Sequence, residues 1–264
     1  MKALIFEGNG QKQLDHMTKN AQKHSSQKFV NVLRAINPDA ICDVVVPAHK
    51  DYVYMMPEEI KKYDYVFWLG STLNAYDKTP EVLQQIEQAR LVFKSGVPFY
   101  GICWGLQMAV MASGGHVDKC VNGLEIGLAK NITLTSEGKR HPMFKGKGTE
   151  PFASFCVHFS ETVKLPPQGT VVLASNKHSR VQALEIKYGG GIFWGVQYHP
   201  EINADSMVSV INRGAEEFCK HGVFANDDEN STDMVNRITE GYGDSLQDSI
   251  RLLEIKNFIE HFSK

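Results

Sequence analysis

The sequence predicts an α/β fold: an open, mostly parallel sheet flanked by helices, with antiparallel strands added to it. Three observations carry this expectation. Over roughly the first 115 residues, short apolar, β-branched runs alternate with helically spaced segments. From about 125 to 196 helical spacing gives way to a succession of short strand candidates. After Pro200 the chain returns to helix. Strands alternating with helices imply right-handed crossovers and a parallel sheet, which is covered on both faces.

The elements follow in order. Ala3-Leu4-Ile5-Phe6 is a first strand, closed by the turn signal Gly8-Asn9-Gly10. It reads as a strand rather than a secretory leader, because Glu7 cuts the apolar run short. Helical spacing runs from about 17 to 36, with Phe29, Val30, Leu33 and Ile36 on one face. Strands are expected at 41–46, 65–69 and 97–100. Thr79-Pro80 opens a helix that Gly96 closes, the usual asymmetry of proline at a start and glycine past an end. Another helix begins near Leu106 and stops at Gly114-Gly115. Strand candidates then fall at 126–134, 153–157, 171–174, 181–186 and 192–196. A lysine-rich stretch, 139–147, reads as a solvated loop. Helices are expected at 204–221 and 245–262, separated by a polar break at 226–231. This divides the chain into a domain over 1–225 and a C-terminal helical extension, 226–264, packed on the same domain.

Composition narrows the function classes. With 42% hydrophobic and 22% charged residues among 264, the chain suits a soluble globular protein that buries a large core. A net charge of −2 gives no general attraction to nucleic acid or anionic membrane, and no apolar run is long enough to span a bilayer. The cysteines at 42, 103, 120, 156 and 219 are odd in number and lack CxxC spacing. That argues against a disulfide framework or a thiolate metal site and suits a reducing, cytoplasmic setting. Four of them read as small buried hydrophobes.

Cys103 stands apart. Gly101-Ile102-Cys103-Trp104-Gly105 joins a strand to a helix through a sharp turn. Glycines two residues before and two after a reactive residue relieve the crowding that such a turn creates. The helix beginning after Cys103 aims its N-terminal N–H groups at the sulfur, which favours thiolate. The main-chain N–H of Trp104 is placed to stabilise an oxyanion. A second segment, Gly195-Val196-Gln197-Tyr198-His199-Pro200-Glu201, ends an apolar strand on a histidine followed by a carboxylate. A residue at a strand's C-terminal end lies at the sheet rim where α/β folds hold their sites. Glu201 can orient the His199 ring and stabilise its protonated form. The other histidines, His158 apart, carry no such context and read as structural.

Gly-Ile-Cys-Trp-Gly-Leu-Gln at 101–107, followed by Gly-Val-Gln-Tyr-His-Pro-Glu at 195–201, resembles the class I glutamine amidotransferases, Cys-His-Glu enzymes with a flavodoxin-like sheet. The resemblance covers about 1–215 and is nearest to stand-alone domains similar to the glutaminase part of GMP synthase, some of which are γ-glutamyl peptidases. It implies that residues 64–71 supply a second oxyanion N–H, from Gly70. The family usually has another glycine next, where this chain has Ser71. Asn74-Ala75-Tyr76-Asp77 resembles the family's Ser-Val-Tyr-Asp stretch. Gln107 and the loop through His158, Phe159, Ser160 and Glu161 match positions that hold the substrate's amino-acid end. The implied chemistry is acyl transfer from a γ-glutamyl group to Cys103 and on to water, with no cofactor and no metal.

No phosphate-binding loop and no SGGxDS-like nucleotide signature accompanies these motifs. Three readings follow. One is a glutaminase subunit serving a synthetase on another chain. Another is a self-sufficient γ-glutamyl peptide or amine hydrolase. The last is a non-catalytic ligand-binding module, which the intact Cys103, His199 and Glu201 oppose.

Overall fold

The computed structural model describes residues 1–220 and 231–263. In chain order the elements are β1 (Lys2–Phe6), α1 (Gln11–Lys19), α2 (Ser25–Ile36), β2 (Ile41–Val45), α3 (Pro57–Ile60), β3 (Tyr65–Trp68), α4 (Pro80–Ser95), β4 (Phe99–Ile102), α5 (Trp104–Ala112), β5 (His116–Lys119) and β6 (Glu125–Leu134). Then come β7 (Phe152–His158), β8 (Ser160–Lys164), β9 (Thr170–Ser175), β10 (Ala183–Tyr188), β11 (Gly191–Val196), α6 (Ala204–Lys220), α7 (Ser231–Thr239), α8 (Gly243–Leu246), α9 (Asp248–Arg251) and α10 (Leu253–Phe262).

One nine-stranded sheet runs in the order β2-β1-β3-β4-β11-β10-β9-β6-β7. β2, β1, β3, β4 and β11 are mutually parallel. β10, β9, β6 and β7 continue it by antiparallel pairing. This is the expected parallel sheet with antiparallel strands added. The period-2 alternation of strand side chains sorts residues to two faces. Tyr65, Phe67, Tyr100 and Trp194 pack on one face with α2 and α10. Val66, Trp68, Phe99 and Phe193 pack on the other with α4 and α5. A third cluster joins Leu128, Ala153 and Phe155 of β6 and β7 to Met207 and Ile211 of α6 and to Met234 and Val235 of α7.

Several elements depart from expectation. The helix expected over 17–36 is two helices. α1 ends at Lys19, and Ala21 takes a left-handed turn at φ 52°. The helix expected over 245–262 is divided at Gln247 and Leu252, so only α10 has several turns. β4 lies two residues later than expected, at 99–102. β5 and β8 pair in a separate small sheet that the sequence did not announce. The 139–147 stretch is not simply solvated. Met143 and Phe144 are buried, and the Lys147 ammonium is buried against Glu254 at 2.6 Å. The polar break at 226–231 falls, up to 230, outside the described residues.

Candidate active site

β4 and β11 lie side by side in parallel, with Gly101 opposite Gly195. Both deliver their following residues to the same sheet rim. Cys103 takes φ 52°, ψ −99° at the tip of β4 and caps α5. A non-glycine residue at positive φ is uncommon and persists only where its surroundings enforce it. Here the Cys103 N–H donates to the Val196 carbonyl at 2.8 Å, and its carbonyl accepts from Gln107 N–H at 3.1 Å. The flanking glycines are required by packing. A Cβ on Gly101 would lie 2.6 Å from the Gly105 carbonyl carbon, and one on Gly105 would lie 2.2 Å from the Trp68 carbonyl oxygen.

The sulfur of Cys103 receives the Gln197 amide at 3.4 Å and points toward the Val157 carbonyl at 3.9 Å. Across from it stands His199. Its N–H donates to the Phe155 carbonyl at 2.7 Å, which pins the chain leaving β11 against β7. Its Nδ1 lies 2.7 Å from Glu201 Oε1. Its Nε2 is buried with no hydrogen-bond partner among the described residues. Burial opposes the imidazolium, but the charge and hydrogen bond of Glu201, together with the Cys103 sulfur, push the His199 pKa up to about 10. The ring is therefore held ready to carry a proton beside the Cys103 sulfur.

Gly70 approaches the same ring, and a Cβ there would lie 3.1 Å from His199 Cε1. Among the described residues, the main-chain N–H groups of Gly70 and Trp104 have no acceptor. The Trp104 indole points away from the cavity and donates to Gln85 at 2.8 Å. Gln85 is fully buried and also holds the Trp68 indole and the Gly8 carbonyl. The loop after Gly70 is fixed by Asn9, whose Oδ1 accepts the Thr72 N–H at 3.1 Å. Buried Glu7 in turn holds Asn9 at 2.8 Å and accepts the Ser26 N–H at the start of α2 at 2.8 Å.

A cavity of about 400 Å³ collects these groups. Gly70, Ser71, Cys103, Gln107, His158, Phe159, Ser160, His199 and Glu201 all line it; Trp104, next to Cys103 in the chain, is buried and does not line it. Gln107 is buried and donates to the Ser160 carbonyl at 3.0 Å. The His158 ring is occupied: Nε2 lies 2.7 Å from Glu125, and Nδ1 lies 3.3 Å from Cys120 and 3.2 Å from the Ser160 carbonyl. Burial works to raise the Glu125 pKa, but His158, Asn176 and Gln182 outweigh it and hold the carboxyl below its ordinary range. Glu125, His158 and His178 also form a cluster with ligand atoms close enough for a metal ion. Both Glu125 oxygens are already spent on hydrogen bonds within the protein.

The remaining wall was not anticipated. It comes from Asn9, from α1 and α2 through His16, Ser25 and Lys28, and from α6 through Ser206 and Arg213. Their i, i+3/i+4 and i+7 spacing marks one face of each helix, but spacing does not say what that face looks at.

The sequence profile of the family "Glutamine amidotransferase class-I" matches residues 26–216. The chain belongs to that family. A γ-glutamyl-L-1-hydroxyisopropylamide hydrolase from Pseudomonas sp is 31% identical over 280 positions, covering 99% of this chain and 92% of its own length. A glutamine-hydrolysing GMP synthase subunit from Saccharolobus solfataricus is 35% identical over 159 positions, 60% of this chain and 75% of its own. Among solved structures, a glutamine amidotransferase from Thermotoga maritima superposes with TM-score 0.70 over 99% of this chain and 97% of its own, at 19% identity. That last likeness bears on the amidotransferase fold alone.

Proposed function

We propose that this amidotransferase-family protein hydrolyses a γ-glutamyl amide through a covalent thioester, with Cys103 as nucleophile, His199 as base and acid, and Glu201 as the group that orients and charges His199. The observation that carries this reading is the meeting, in one cavity, of a strained thiol, an imidazole paired to a carboxylate at 2.7 Å, and Gly70, whose main-chain donor is unoccupied, with that of Trp104 next to the thiol in the chain. In the first half-reaction His199 takes the Cys103 thiol proton as the sulfur attacks the side-chain carbonyl carbon. The carbonyl oxygen becomes an oxyanion held by the N–H groups of Gly70 and Trp104, each worth about 3 kcal/mol in comparable sites. As that intermediate collapses the C–N bond breaks, and His199 gives its proton to the departing amine. In the second half-reaction water attacks the thioester and His199 takes the water proton; the C–S bond then breaks to release glutamate, and His199 returns that proton to the sulfur. Covalent catalysis replaces one hard amide cleavage by two easier steps. Gln107, Ser71 and the loop of His158, Phe159 and Ser160 hold the glutamyl end. These steps call for no cofactor.

A self-sufficient hydrolase is the better-supported form of this reading, because the Pseudomonas relative matches the chain along almost its whole length, including 226–264. We treat those residues as part of one unit with 1–225. The likeness to the Saccharolobus GMP synthase polypeptide supports a second form, in which a synthetase partner consumes the released ammonia. Free thiols at Cys42, Cys103, Cys120 and Cys156 support a reducing, cytoplasmic location. Among the described residues no helix is long and apolar enough to cross a membrane. The test is turnover of purified protein on glutamine and a panel of N-substituted γ-glutamyl amides, beside Cys103→Ala. Hydrolysis of a substituted amide by the isolated chain, abolished in the variant, is the expected result. Turnover that survives Cys103→Ala overturns the mechanism. Activity on glutamine alone, only after a synthetase is added, transfers the weight to the second form.

A further inference from the structure

Gln197 belongs neither to the Cys103, His199 and Glu201 set nor to the described cavity lining, yet its side chain touches the reacting atom. It follows the last residue of β11, is fully buried, and donates its main-chain N–H to the Gln182 carbonyl at 2.9 Å. Its Nε2 donates to the Cys103 sulfur at 3.4 Å, and its Oε1 accepts from Gln107 Nε2 at 3.3 Å. Gln107, itself buried, also donates to the Ser160 carbonyl at 3.0 Å.

These contacts determine which end of each amide faces which way. A carbonyl oxygen only accepts, so Ser160 holds the nitrogen end of Gln107 toward itself. That nitrogen carries two N–H groups, and the other is met by the oxygen of Gln197. The nitrogen of Gln197 is then left facing the sulfur. A reversed Gln197 would set nitrogen against nitrogen at one end and oxygen against sulfur at the other. We infer that Gln197 is a further catalytic residue, whose side-chain N–H, aimed by Gln107 and Ser160, holds the Cys103 sulfur whenever that atom carries negative charge. This rests on the thioester mechanism proposed above, in which such charge arises twice. It arises when His199 has taken the thiol proton and the C–S bond is forming. It returns when the C–S bond breaks and its electron pair goes back to the sulfur, before His199 reprotonates it. In the thioester between these steps the sulfur is neutral and a poor acceptor. The N–H is therefore worth most near the two transition states, where a donor fixed in advance speeds the reaction.

Iodoacetamide reads this role, because it is small and neutral and alkylates the sulfur anion without using the glutamyl pocket. In Gln197→Met, which keeps the side chain's length and removes the donor, alkylation of Cys103 at neutral pH is expected to slow about tenfold, the value of a hydrogen bond to a charged group. Peptide mass mapping follows the rate at Cys103 alone. On a γ-glutamyl amide that the wild type hydrolyses, kcat is expected to fall by a similar factor while KM holds. Gln197→Glu keeps the shape and the oxygen that Gln107 meets, but turns an acceptor to the sulfur. The same slowing is expected in it above neutral pH, so the question stays answerable if Gln197→Met does not fold. Alkylation at the wild-type rate in a folded variant, or a raised KM with kcat unchanged, overturns the inference and leaves the Cys103 mechanism standing. Wild-type turnover that survives Cys103→Ala overturns the mechanism and this inference with it.

Discussion

Cys103 owes its place to residues that do no chemistry. Gly105 lies against the Trp68 carbonyl so closely that a single methyl group has no room. Gly105→Ala is expected to cost about 1–3 kcal/mol, the usual penalty of overpacking, and to move the sulfur away from His199. A lowered melting temperature with a larger loss of kcat is the measurement that checks it. Thiol selectivity belongs to the same scale. Burial pushes the thiols of Cys42, Cys120 and Cys156 up, so they stay protonated and poorly nucleophilic at neutral pH. His199 is raised to about 10, against an ordinary value of 6.5. A raised pKa means the folded protein binds that proton more tightly than the unfolded chain. The stabilisation is complete below about 6.5 and is lost as pH rises through about 10. Removing the negative charge in Glu201→Gln is expected to lower the His199 pKa by roughly 1–3 units and to flatten that stability loss. Imidazole proton NMR reads the first effect and thermal melts against pH read the second. An unchanged titration in the variant would remove Glu201 from the role given to it.

The C-terminal helices act on the site as elements. α10 lays Phe258 against Tyr65, Phe67, Tyr100 and Trp194, with ring centroids 5.2 to 5.8 Å apart. Glu254 sits fully buried, accepting from the Tyr198 hydroxyl at 2.6 Å and from Lys147 at 2.6 Å. Arg251, buried at the end of α9, donates to the Pro200 carbonyl. Tyr198 and Pro200 flank His199, so these helices brace the segment that carries the imidazole. Glu254→Gln leaves the Lys147 charge buried without its partner, which costs about 3–5 kcal/mol in stability. Arg251→Ala is expected to lower kcat more than it raises KM, because it loosens the His199 segment and leaves the glutamyl contacts alone. Steady-state kinetics separate the two, and a pure KM effect would deny α9 this bracing role.

In the molecule as a whole, the C-terminal segment covers one face of the sheet, so residues 1–225 alone expose the faces of Tyr65, Phe67, Tyr100 and Trp194. Truncation at 225 is expected to give an aggregating or molten chain, whereas the full chain melts in one cooperative transition by calorimetry and circular dichroism. What the sequence revealed depended on where its signals sit. Pro80 and Gly96 mark both ends of α4 locally, and that helix was legible. Between α1 and α2 there is no glycine or proline; the start of α2 is held by Gln27 accepting the His24 N–H at 3.0 Å and by Glu7, distant in sequence, accepting the Ser26 N–H. Cys103 and His199 were legible because each ends a strand inside a compact motif. Lys28, Arg213 and Asn9 were not, because they reach the cavity only once their segments pack around the sheet. Whether Cys103 is the atom that accepts the γ-glutamyl group is read by peptide mass mapping after treatment with an electrophilic glutamine analogue. One adduct per chain is expected, on Cys103, and it should be lost or strongly slowed in His199→Ala. An adduct on Cys120 or Cys156, with Cys103 unmodified, would contradict the mechanism.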